Sequence, residues 1–421
     1  MQDLVRSEQP PPGMGGMGDR PMIRALCVTV VAAFVLIACT PQTADPASQS
    51  AAASASDAAS RHGLGKFPEP PAAKIAEATA SAMRDVVDAA LDRGLPGVSA
   101  TVMSADAGVW TGVAGSSDGE DPIEPRSQFA IASLTKTVIA AEVMHLVELG
   151  RLRLSDSASD HLPESFDFDT NGATIENLLA MESGIPDPTI TFAEAGADPS
   201  RVWAPEEVLE TVPAQRAAPG DHWVYEDSNY MLLGLIIEKV TGTSVAAALR
   251  EGVLADPRLA GLVYQPDERP AGPLALPFGR ARDGTESGGG YLASAALASW
   301  GNGSGCMASD SATLALWGYL LFGGSLLSEE SLRAMTDFGS EADYEEHGLG
   351  VIDQTALGEG FSVQAIGNGG WDDGGYSSIL VVLPSEGLVI SVMTNTAGSP
   401  VQLVLPIAQE LASIAMDLGK T

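Results

Sequence analysis

The distribution of strand patterns is the feature that most restricts the fold of this chain. Residues 95–115 read as two strands around the turn at Ala105–Gly108, and further strands are predicted around Gly348–Ile352, Ser377–Pro384 and Gly387–Thr394. The part between them carries mostly helical patterns, with many Pro and Gly breaks. Strands from both ends that share one sheet predict an α/β (α+β) fold, in which a helical lobe interrupts the lobe that holds the sheet.

Helical periodicity predicts the elements around this sheet. Helices are expected from about Pro70 to Asp92 and from Ser133 to Leu149. Later in the chain they are expected over Ala315–Gly323, from about Ser328, and from about Pro400 to Leu418. These helices flank the sheet from both termini.

The segment Met22–Cys39 places one arginine before an apolar run that ends in small residues and a cysteine. The run is too short to span a bilayer comfortably, so residues 1–39 are predicted to be an N-terminal extension and a signal peptide, with Met22 as an alternative start. The end of the run, Leu36-Ile37-Ala38-Cys39, resembles the bacterial lipobox. The protein is therefore expected to be exported and anchored to a cell-envelope membrane by a lipid on Cys39, and an uncleaved anchor is the alternative.

The rest of the chain divides into a linker and a folded domain. Residues 40–66 consist mostly of Ala, Ser, Asp, Gln and Pro, which bury too little apolar surface to offset chain entropy, and they are predicted to be flexible. Residues 67–421 are predicted to form one domain, with the sheet in a lobe at 67–150 and 295–421 and a helical lobe at 151–294.

Charge and composition exclude several classes of partner. A formal net charge of −33 repels nucleic-acid phosphates, so nucleic acid is not expected to bind. The histidines, at positions 62, 145, 161, 222 and 347, show no metal-site spacing, and neither a metal nor a cofactor is expected. Cys306 has no basic neighbour in sequence and is predicted to be a buried packing residue. The oligomeric state is left open.

Ser133-Leu134-Thr135-Lys136 begins the second predicted helix. Residues three apart share a helix face, so the Ser133 hydroxyl and the Lys136 amine are expected to meet. A serine nucleophile needs an adjacent base, and a partly desolvated lysine at a helix N-terminus is expected to shift toward its neutral form, which accepts a proton. The Ser133 N–H is a candidate donor to an oxyanion. We interpret Ser133 as the nucleophile and Lys136 as its base.

Ser-x-x-Lys is a short pattern that a serine-rich chain can carry by chance. Lysine, however, occurs only at positions 66, 74, 136, 239 and 420, and Lys136 lies in an otherwise apolar helix, where an unpaired charge is costly. A competing nucleophile pattern, G-x-S-x-G at Gly115–Gly119, runs into an acidic loop with two prolines. That loop cannot be the helix that an α/β-hydrolase elbow requires, so this pattern is not expected to be catalytic.

Six stretches follow one another across nearly all of residues 72–415: LPGVSATV, FAIASLTKTVIAAEVMHLVELGRLRLSD, ATIENLLAMESGIPD, WVYEDSNYMLLGLIIEKVTG, SGCMASDSATLALWGYLLFGGSLLSEESLRAM and GNGGWDDGGYSSILVVLPSEGLVISVMTN. In residues and order they resemble the penicillin-recognising serine hydrolases, the family of class C β-lactamases, D-alanyl-D-alanine carboxypeptidases and esterases. The resemblance implies a β-lactamase-like fold, with an antiparallel sheet flanked by helices from both termini.

The resemblance also implies roles for residues outside the tetrad. The family motif Tyr-x-Asn falls on Tyr225-Glu226-Asp227, so Tyr225 is expected to share in proton transfer. Asp227 replaces asparagine; it is expected to accept a hydrogen bond from Lys136, and its charge to raise the lysine pKa. Asn229 is a less suitable substitute, because it breaks the spacing to the residues that follow.

The third family motif, Lys/His-x-Gly, falls on Asn368-Gly369-Gly370. By resemblance, Gly370 belongs to the oxyanion strand, and the N–H of Trp371 is expected to complete the oxyanion hole. Asn368 stands where the family has the Lys or His that helps recognise a substrate carboxylate. This departure favours neutral esters or amides over β-lactams and D-Ala-D-Ala peptides.

The sequence thus predicts a serine hydrolase of the cell envelope that acts through an acyl-enzyme. Its expected substrate is a small-molecule ester or amide, or a peptidoglycan-like molecule. Two alternatives remain open at this stage. One is a true β-lactamase or D-Ala-D-Ala carboxypeptidase, and the other is a non-catalytic binding or sensor protein with the same fold.

Overall fold

A computed structural model describes residues 63–214, 216–277, 290–338 and 347–417. They belong to one structural unit, Ser60–Thr421. The predicted signal peptide, the lipidation site at Cys39 and most of the predicted linker lie outside the described residues.

Most of the described strands belong to one large antiparallel sheet. The described strands are β1 (Gly97–Ser104), β2 (Gly108–Ser117), β3 (Asp121–Pro122), β4 (Phe129–Ala130), β5 (Val263–Tyr264), β6 (Met307–Ser309), β7 (Ile352–Asp353), β8 (Ile366–Asp372), β9 (Tyr376–Leu383) and β10 (Leu388–Thr394). Seven of them form a sheet in the order β3-β2-β1-β10-β9-β8-β7, and β4-β6-β5 form a small second sheet. Strand β1 pairs with β10, with Val98 opposite Thr394, so strands from the beginning and the end of the described domain share one sheet, as predicted.

Helices fill the region between the two groups of strands and cover the sheet. The described helices are α1 (Glu77–Asp92), α2 (Thr135–Glu148), α3 (Ile175–Leu179), α4 (Phe192–Ala195), α5 (Pro205–Leu209), α6 (Ser228–Thr241), α7 (Val245–Glu251), α8 (Ala295–Gly305), α9 (Ser311–Phe322), α10 (Glu329–Met335), α11 (Pro400–Leu403) and α12 (Leu405–Asp417). No single helix among the described residues has the length and hydropathy of a membrane span. Helices α6 and α7, which are bent by 67° relative to each other, have the length and apolar composition of a span only when they are taken together.

Both faces of the sheet are covered, and β1 is buried along its whole length. Alternate residues such as Val98 and Ala100 contribute to a core with α1 and α12. On the opposite face, the Ser99 and Thr101 hydroxyls lie 2.8 and 2.9 Å from that of Ser311, at the start of α9. The larger core on that face extends into the helical lobe. The site described below lies between this face and that lobe.

The structure corrects three sequence predictions about element boundaries. The first helix begins at Glu77 and not near Pro70, because the preceding residues bond to β2: the Ile75 N–H donates to the Val109 carbonyl at 3.1 Å. The last helix is divided at Val404 into α11 and α12. The predicted strand at Gly348–Ile352 is only the two-residue β7.

The residues shortly before α1 are held against the domain by backbone hydrogen bonds. The Gly65 N–H donates to the Phe322 carbonyl at 2.8 Å, and the Phe67 N–H donates to the Gly323 carbonyl at 3.2 Å. The residues around position 65, which composition assigns to the end of the linker, therefore bond to the end of α9.

Candidate active site

A short 3-10 turn, Ala132–Leu134, carries Ser133 into helix α2. The residue before the serine, Ala132, has φ of +45°, a left-handed conformation that is costly for an L-residue with a Cβ. Backbone bonds hold the turn in place: the Ile131 N–H donates to the Met307 carbonyl at 2.9 Å, and the Met307 N–H donates to the Thr135 hydroxyl at 3.1 Å. Ser133 is thus fixed where the turn meets strand β6.

Ser133, Lys136 and Tyr225 meet as the sequence predicts. Lys136 Nζ donates to Ser133 Oγ at 3.1 Å, and the Tyr225 hydroxyl donates to the same Oγ at 2.7 Å. The ammonium also lies 4.8 Å from the centroid of the Tyr225 ring. The hydroxyl of Ser133 therefore has two proton-handling groups within hydrogen-bond distance, which is the geometry that nucleophilic catalysis requires.

Lys136 is almost completely buried, with its side chain 1% exposed. Its Nζ donates to three oxygens: Ser133 Oγ, a carboxylate oxygen of Asp227 at 2.7 Å and the Ser304 carbonyl at 2.8 Å. Three acceptors satisfy the three N–H groups of an ammonium. The predicted hydrogen bond to Asp227 is confirmed.

The charge state of Lys136 differs from the neutral form expected from its position on the helix. Burial alone lowers the pKa of this lysine, but the charge and hydrogen bond of Asp227, with a contribution from Tyr225, raise it well above its usual range. The expectation of a neutral resting lysine is therefore wrong. The predicted rise in the lysine pKa caused by Asp227 outweighs the fall caused by burial. Lys136 rests as an ammonium paired with a carboxylate.

Tyr225 and Asp227 are positioned by the start of helix α6. A turn from the helical lobe packs against it, since Asp187 Oδ1 accepts the backbone N–H groups of Asp227 and Ser228. Burial raises the pKa of Tyr225, although the nearby ammonium opposes this, so its hydroxyl keeps its proton and donates it to Ser133. Asn229 is buried and donates to the Glu226 carbonyl at 2.9 Å, which agrees with its exclusion from the motif.

Strand β8 brings the third predicted motif against the Ser133 turn. A Cβ on Gly370 would lie 2.0 Å from the Ile131 carbonyl oxygen and 3.0 Å from the Ser133 nitrogen, so only glycine permits this approach. The partner β7 pairs with β8 only at Ile366 and Gly367, and no other described strand pairs with the later residues of β8 on that side. Trp371 directly follows Gly370 in this strand.

Asn368 lies in the same strand, two residues before Gly370. Its side chain is 3% exposed; its Nδ2 donates to the Gly350 carbonyl at 3.2 Å and its Oδ1 accepts the Gly369 N–H at 2.8 Å. Both ends of the amide are thus bonded to backbone. The predicted contact of Asn368 with substrate stays a prediction, and this arrangement does not favour it.

The competing candidates have structural roles. Ser117, the serine of the G-x-S-x-G pattern, ends β2, where its hydroxyl donates to the Leu274 carbonyl and accepts the Leu276 N–H, both at 2.9 Å. Cys306 is buried, as predicted, and burial raises the pKa of its thiol. His347 lies with its ring 4.2 Å from that of Trp223, and burial lowers its pKa to about 4, so it is neutral near pH 7. No cluster suited to a metal ion occurs among the described residues.

Two contacts of the site were not identified from the sequence. The Ser304 carbonyl reaches Lys136 because the segment Gly303–Gly305 is made of small residues: a Cβ on Gly303 would lie 2.4 Å from the Tyr230 carbonyl oxygen. Asp187 belongs to the stretch SGIPD, which the resemblance includes without assigning it a role. Close packing of small residues is the sequence signal for the first contact, whereas the second has none.

The fold and the site together define a class. A serine hydroxyl beside a lysine and a tyrosine, on a sheet flanked by helices, is typical of hydrolases that form covalent intermediates. The family model for beta-lactamases matches residues 77–412, so this chain belongs to the beta-lactamase family.

Solved structures share the fold over most of the chain. A D-stereospecific amidohydrolase from Streptomyces sp. has a TM-score of 0.64 and 24% identity, covering 79% of this chain and 97% of its own. A D-amino acid amidase from Ochrobactrum anthropi SV3, in complex with L-phenylalanine amide, has a TM-score of 0.67 and 21% identity, covering 82% and 100%. At these identities the likeness shows the fold alone.

Curated relatives match a shorter region. Penicillin-binding protein 4* of Bacillus subtilis (strain 168) is 30% identical over 136 residues, which are 31% of this chain and 29% of that protein. Protein flp of Staphylococcus aureus (strain NCTC 8325 / PS 47) is 34% identical over 126 residues, 28% of this chain and 24% of its own. The match spans less than a third of each relative.

Proposed function

We propose that this protein is a serine hydrolase that cleaves an amide or ester bond through an acyl-enzyme on Ser133. The observation that carries the proposal is the pair of hydrogen bonds to Ser133 Oγ, from Lys136 at 3.1 Å and from Tyr225 at 2.7 Å. Family membership supports a hydrolase, and the intact trio argues against a purely binding or sensing role.

The proton of Ser133 needs an acceptor, and Lys136 rests as an ammonium. In the proposed first step, Ser133 Oγ attacks the substrate carbonyl carbon while its proton moves to Nζ and Nζ releases one of its own protons to Asp227. The 2.7 Å contact between Nζ and the Asp227 carboxylate supports this transfer. Because Nζ gains one proton as it gives up another, Lys136 stays an ammonium in this step and Asp227 becomes neutral, so the lysine charge faces the developing oxyanion.

Release of the leaving group completes acylation. The Tyr225 hydroxyl donates its proton to the departing nitrogen or oxygen as the bond to the carbonyl carbon breaks, and Lys136 returns a proton to the tyrosine. Water then attacks the acyl-enzyme, with the same groups working in reverse. The N–H groups of Ser133 and Trp371 are proposed to hold the oxyanion, and the approach of Gly370 to the Ser133 nitrogen supports that placement.

The proposed substrate class is a neutral acyl group on an amide or ester. Two solved proteins with this fold, a D-stereospecific amidohydrolase and a D-amino acid amidase, favour amides. The second candidate, hydrolysis of β-lactams or of D-Ala-D-Ala peptides, is favoured by the family match and by the relative named as a penicillin-binding protein. The amide at Asn368 opposes it, because a buried neutral side chain is a poor partner for a substrate carboxylate.

A substrate panel separates the two candidates. Purified protein from about residue 63 onward is assayed with D-phenylalanine p-nitroanilide, p-nitrophenyl butyrate and nitrocefin, beside a Ser133→Ala control. Turnover of the anilide or the butyrate that disappears in Ser133→Ala supports the proposal. Turnover of nitrocefin alone supports the second candidate, and turnover that survives in Ser133→Ala contradicts both.

We also propose that the enzyme works in the cell envelope, held by a lipid on Cys39, because the lipobox-like segment and the Ala/Ser-rich stretch after it suit an anchored, exported domain. Substitution of Cys39 by Ala is expected to release the protein from the membrane fraction of a bacterial host. Membrane fractionation that does not change would overturn the anchor.

A further inference from the structure

Helix α8 is interrupted at Asn302, two residues before the carbonyl that binds the catalytic lysine. Asn302 has φ of +41° and ψ of −137°, a conformation that glycine adopts readily and that is costly for a residue with a Cβ. Glycines lie on both sides of it, at Gly301 and Gly303, yet the residue in the positive-φ position is an asparagine. The contacts of its side chain explain why asparagine occupies this position.

The side-chain oxygen of Asn302 accepts two hydrogen bonds at the interruption. Its Oδ1 accepts the N–H of the next residue, Gly303, at 2.6 Å, and the hydroxyl of Tyr264 at 3.0 Å. Tyr264 is a buried residue of β5, and burial raises the pKa of its phenol well above the usual range, so the hydroxyl keeps its proton for this bond. Two donors to one oxygen thus hold the backbone of Asn302 in its costly conformation.

The interruption packs closely against helix α6. A Cβ on Gly303 would lie 2.4 Å from the Tyr230 carbonyl oxygen, and a Cβ on Gly234 would lie 2.8 Å from Asn302 Oδ1. Glycine is therefore needed on both surfaces where the two helices meet. Helix α6 begins directly after Asp227, so the carboxylate and the carbonyl that bind the lysine ammonium come from two elements that pack against each other.

The conformation of Asn302 sets the direction of the Ser304 carbonyl. Only Gly303–Gly305 follow Asn302 in α8, and the carbonyl groups in the last turn of a helix have no donor within the helix. The Ser304 carbonyl accepts from Lys136 Nζ at 2.8 Å instead, while the Ser304 hydroxyl donates to the Gly301 carbonyl at 2.6 Å. A different conformation at Asn302 would turn this carbonyl away from Nζ.

We propose that Asn302 is a positioning residue: by fixing the interruption of α8 it aims the Ser304 carbonyl at Lys136. The ammonium of Lys136 has three N–H groups, and Asp227 and the Ser304 carbonyl bind two of them, which directs the third to Ser133 Oγ. Without the carbonyl, Nζ is free to turn about its contact with Asp227, and a misplaced proton-handling group slows the reaction. The inference rests on the proposed function, because it concerns the lysine of the same site.

The test compares three substitutions of Asn302. Asn302→Asp keeps an oxygen that accepts both bonds, Asn302→Gly removes the bonds together with the strain, and Asn302→Ala removes the bonds and keeps the strain. Asn171→Gly is the matched control, because Asn171, in a turn before α3, also has a positive φ, of +56°, and its side chain donates to the Ala217 carbonyl at 2.5 Å. Labelling of Ser133 by a fluorophosphonate is measured over a range of reagent concentrations, which separates the maximal rate constant from the half-saturating concentration.

Asn302→Gly is expected to lower the maximal rate constant about 10-fold, and Asn302→Ala on the order of 10²-fold, through misplacement of Nζ. The half-saturating concentration is expected to stay the same, because neither change removes a contact with the reagent. Asn302→Asp is expected to restore the rate constant to within about threefold of the wild type, and Asn171→Gly to leave it unchanged.

The glycine variant decides the proposal even if Asn302→Ala does not fold. An Asn302→Gly protein with the wild-type rate constant would overturn the proposal. A change confined to its half-saturating concentration would overturn it as well, since that result would place Asn302 in reagent binding. The same holds for an Asn302→Asp protein that is as slow as Asn302→Gly.

A second measurement does not depend on activity. Lysine is scarce in this chain, so NMR spectra of protein that carries a heavy nitrogen isotope at lysine Nζ are expected to show a slowly exchanging ammonium signal that is absent from Lys136→Met. This signal is expected to stay in place in Asn302→Asp and Asn171→Gly and to shift in Asn302→Gly, because one of its three acceptors moves. An unchanged signal in Asn302→Gly would overturn the proposal, even if Ser133 is the nucleophile. Absence of labelling in the wild type would instead reject the proposed function and leave the NMR signal as the test of Asn302.

Discussion

Two buried ionisable side chains on helix α2, Lys136 and Glu142, differ in the number of polar partners that surround them. Lys136, 1% exposed, donates to Ser133, Asp227 and the Ser304 carbonyl. Glu142, 2% exposed, accepts the Val253 N–H at 3.1 Å. Arg151 acts on Glu142 through its charge, without a hydrogen bond among the described contacts.

The difference in partners decides which group stays charged. Burial raises the pKa of Glu142 to about 7, because the Val253 N–H and the charge of Arg151 offset only part of the lost hydration. At Lys136 the partners outweigh burial and keep the ammonium. Burial therefore shifts Glu142 toward its neutral form, whereas Lys136 keeps its charge beside the nucleophile because its partners outweigh burial.

The largest effect is expected from removing the paired charge. Lys136→Met is expected to lower the rate of Ser133 acylation about 10³-fold, within the usual range for a proton-transfer group. Rates are measured by fluorophosphonate labelling. Lys239→Met is the control, since Lys239 is 40% exposed and lies 3.8 Å from Glu164, away from the trio. A Lys136→Met protein that is labelled as fast as this control would contradict a role of Lys136 in acylation.

Substitution of Asp227 tests the ion pair between Lys136 and Asp227 through the stability of the protein. Asp227→Ala leaves the Lys136 ammonium buried without its carboxylate and is expected to reduce the free energy of unfolding by about 3 kcal/mol or more. Asp227→Asn is expected to lose less, because the amide oxygen still accepts from Nζ. Urea denaturation at pH 7 measures both. Equal stability of Asp227→Ala and Asp227→Asn would show that the hydrogen bond from Nζ to residue 227 does not contribute to stability.

Among the described residues, Glu142 has no ion-pair partner of the kind that Lys136 has, and its removal is expected to raise stability. The pKa of Glu142 is higher in the folded protein, about 7, than its ordinary value of 4.5, so the folded state binds the extra proton between these pH values. The wild type is therefore expected to lose stability as the pH rises from about 4.5 to 7, and to change no further on this account. Above pH 7, Glu142→Gln is expected to be more stable by at most about 3 kcal/mol.

The control for that variant is Glu148→Gln, since Glu148 is exposed and hydrogen bonds from Ser331 and Ser328 lower its pKa. Unfolding is followed in urea at several pH values. A stability difference between Glu142→Gln and the wild type that stays constant between pH 4.5 and 8 would rule out a neutral Glu142.

The smallest effect on activity is expected outside the helix. Ser117→Ala is expected to leave acylation unchanged and to cost about 1 kcal/mol of stability, because the Ser117 hydroxyl bonds to two backbone groups. Labelling and urea denaturation of the same preparation measure the two quantities. Loss of labelling with normal stability would restore the G-x-S-x-G pattern as a candidate.

The sequence predicted the shared sheet well because its strands are apolar and β-branched. β1, β9 and β10 have this composition, and all appear close to their predicted bounds. By contrast, β8 contains Gly367, Asn368, Gly369 and Gly370, which have low strand propensity, and periodicity did not reveal it. Its place at the site came from the family resemblance.

The residues of the candidate site were predicted, and so was the direction in which Asp227 shifts the lysine pKa, but not that this effect outweighs burial. Spacing and resemblance identified Ser133, Lys136, Tyr225 and Asp227, and the structure brings their side chains together. Whether the lysine is neutral depends on the balance between burial and a partner 91 positions away, which local sequence does not contain.

The central claim is that Ser133 is a nucleophile activated by its buried neighbours. The most direct test is intact mass of the domain from about residue 63, after incubation with a fluorophosphonate and, separately, with a penicillin, beside Ser133→Ala. The account predicts one fluorophosphonate adduct on the wild type and none on Ser133→Ala, with the penicillin adduct weak or absent. A wild-type protein that stays unmodified by both reagents, or a Ser133→Ala protein that is still labelled, would contradict it.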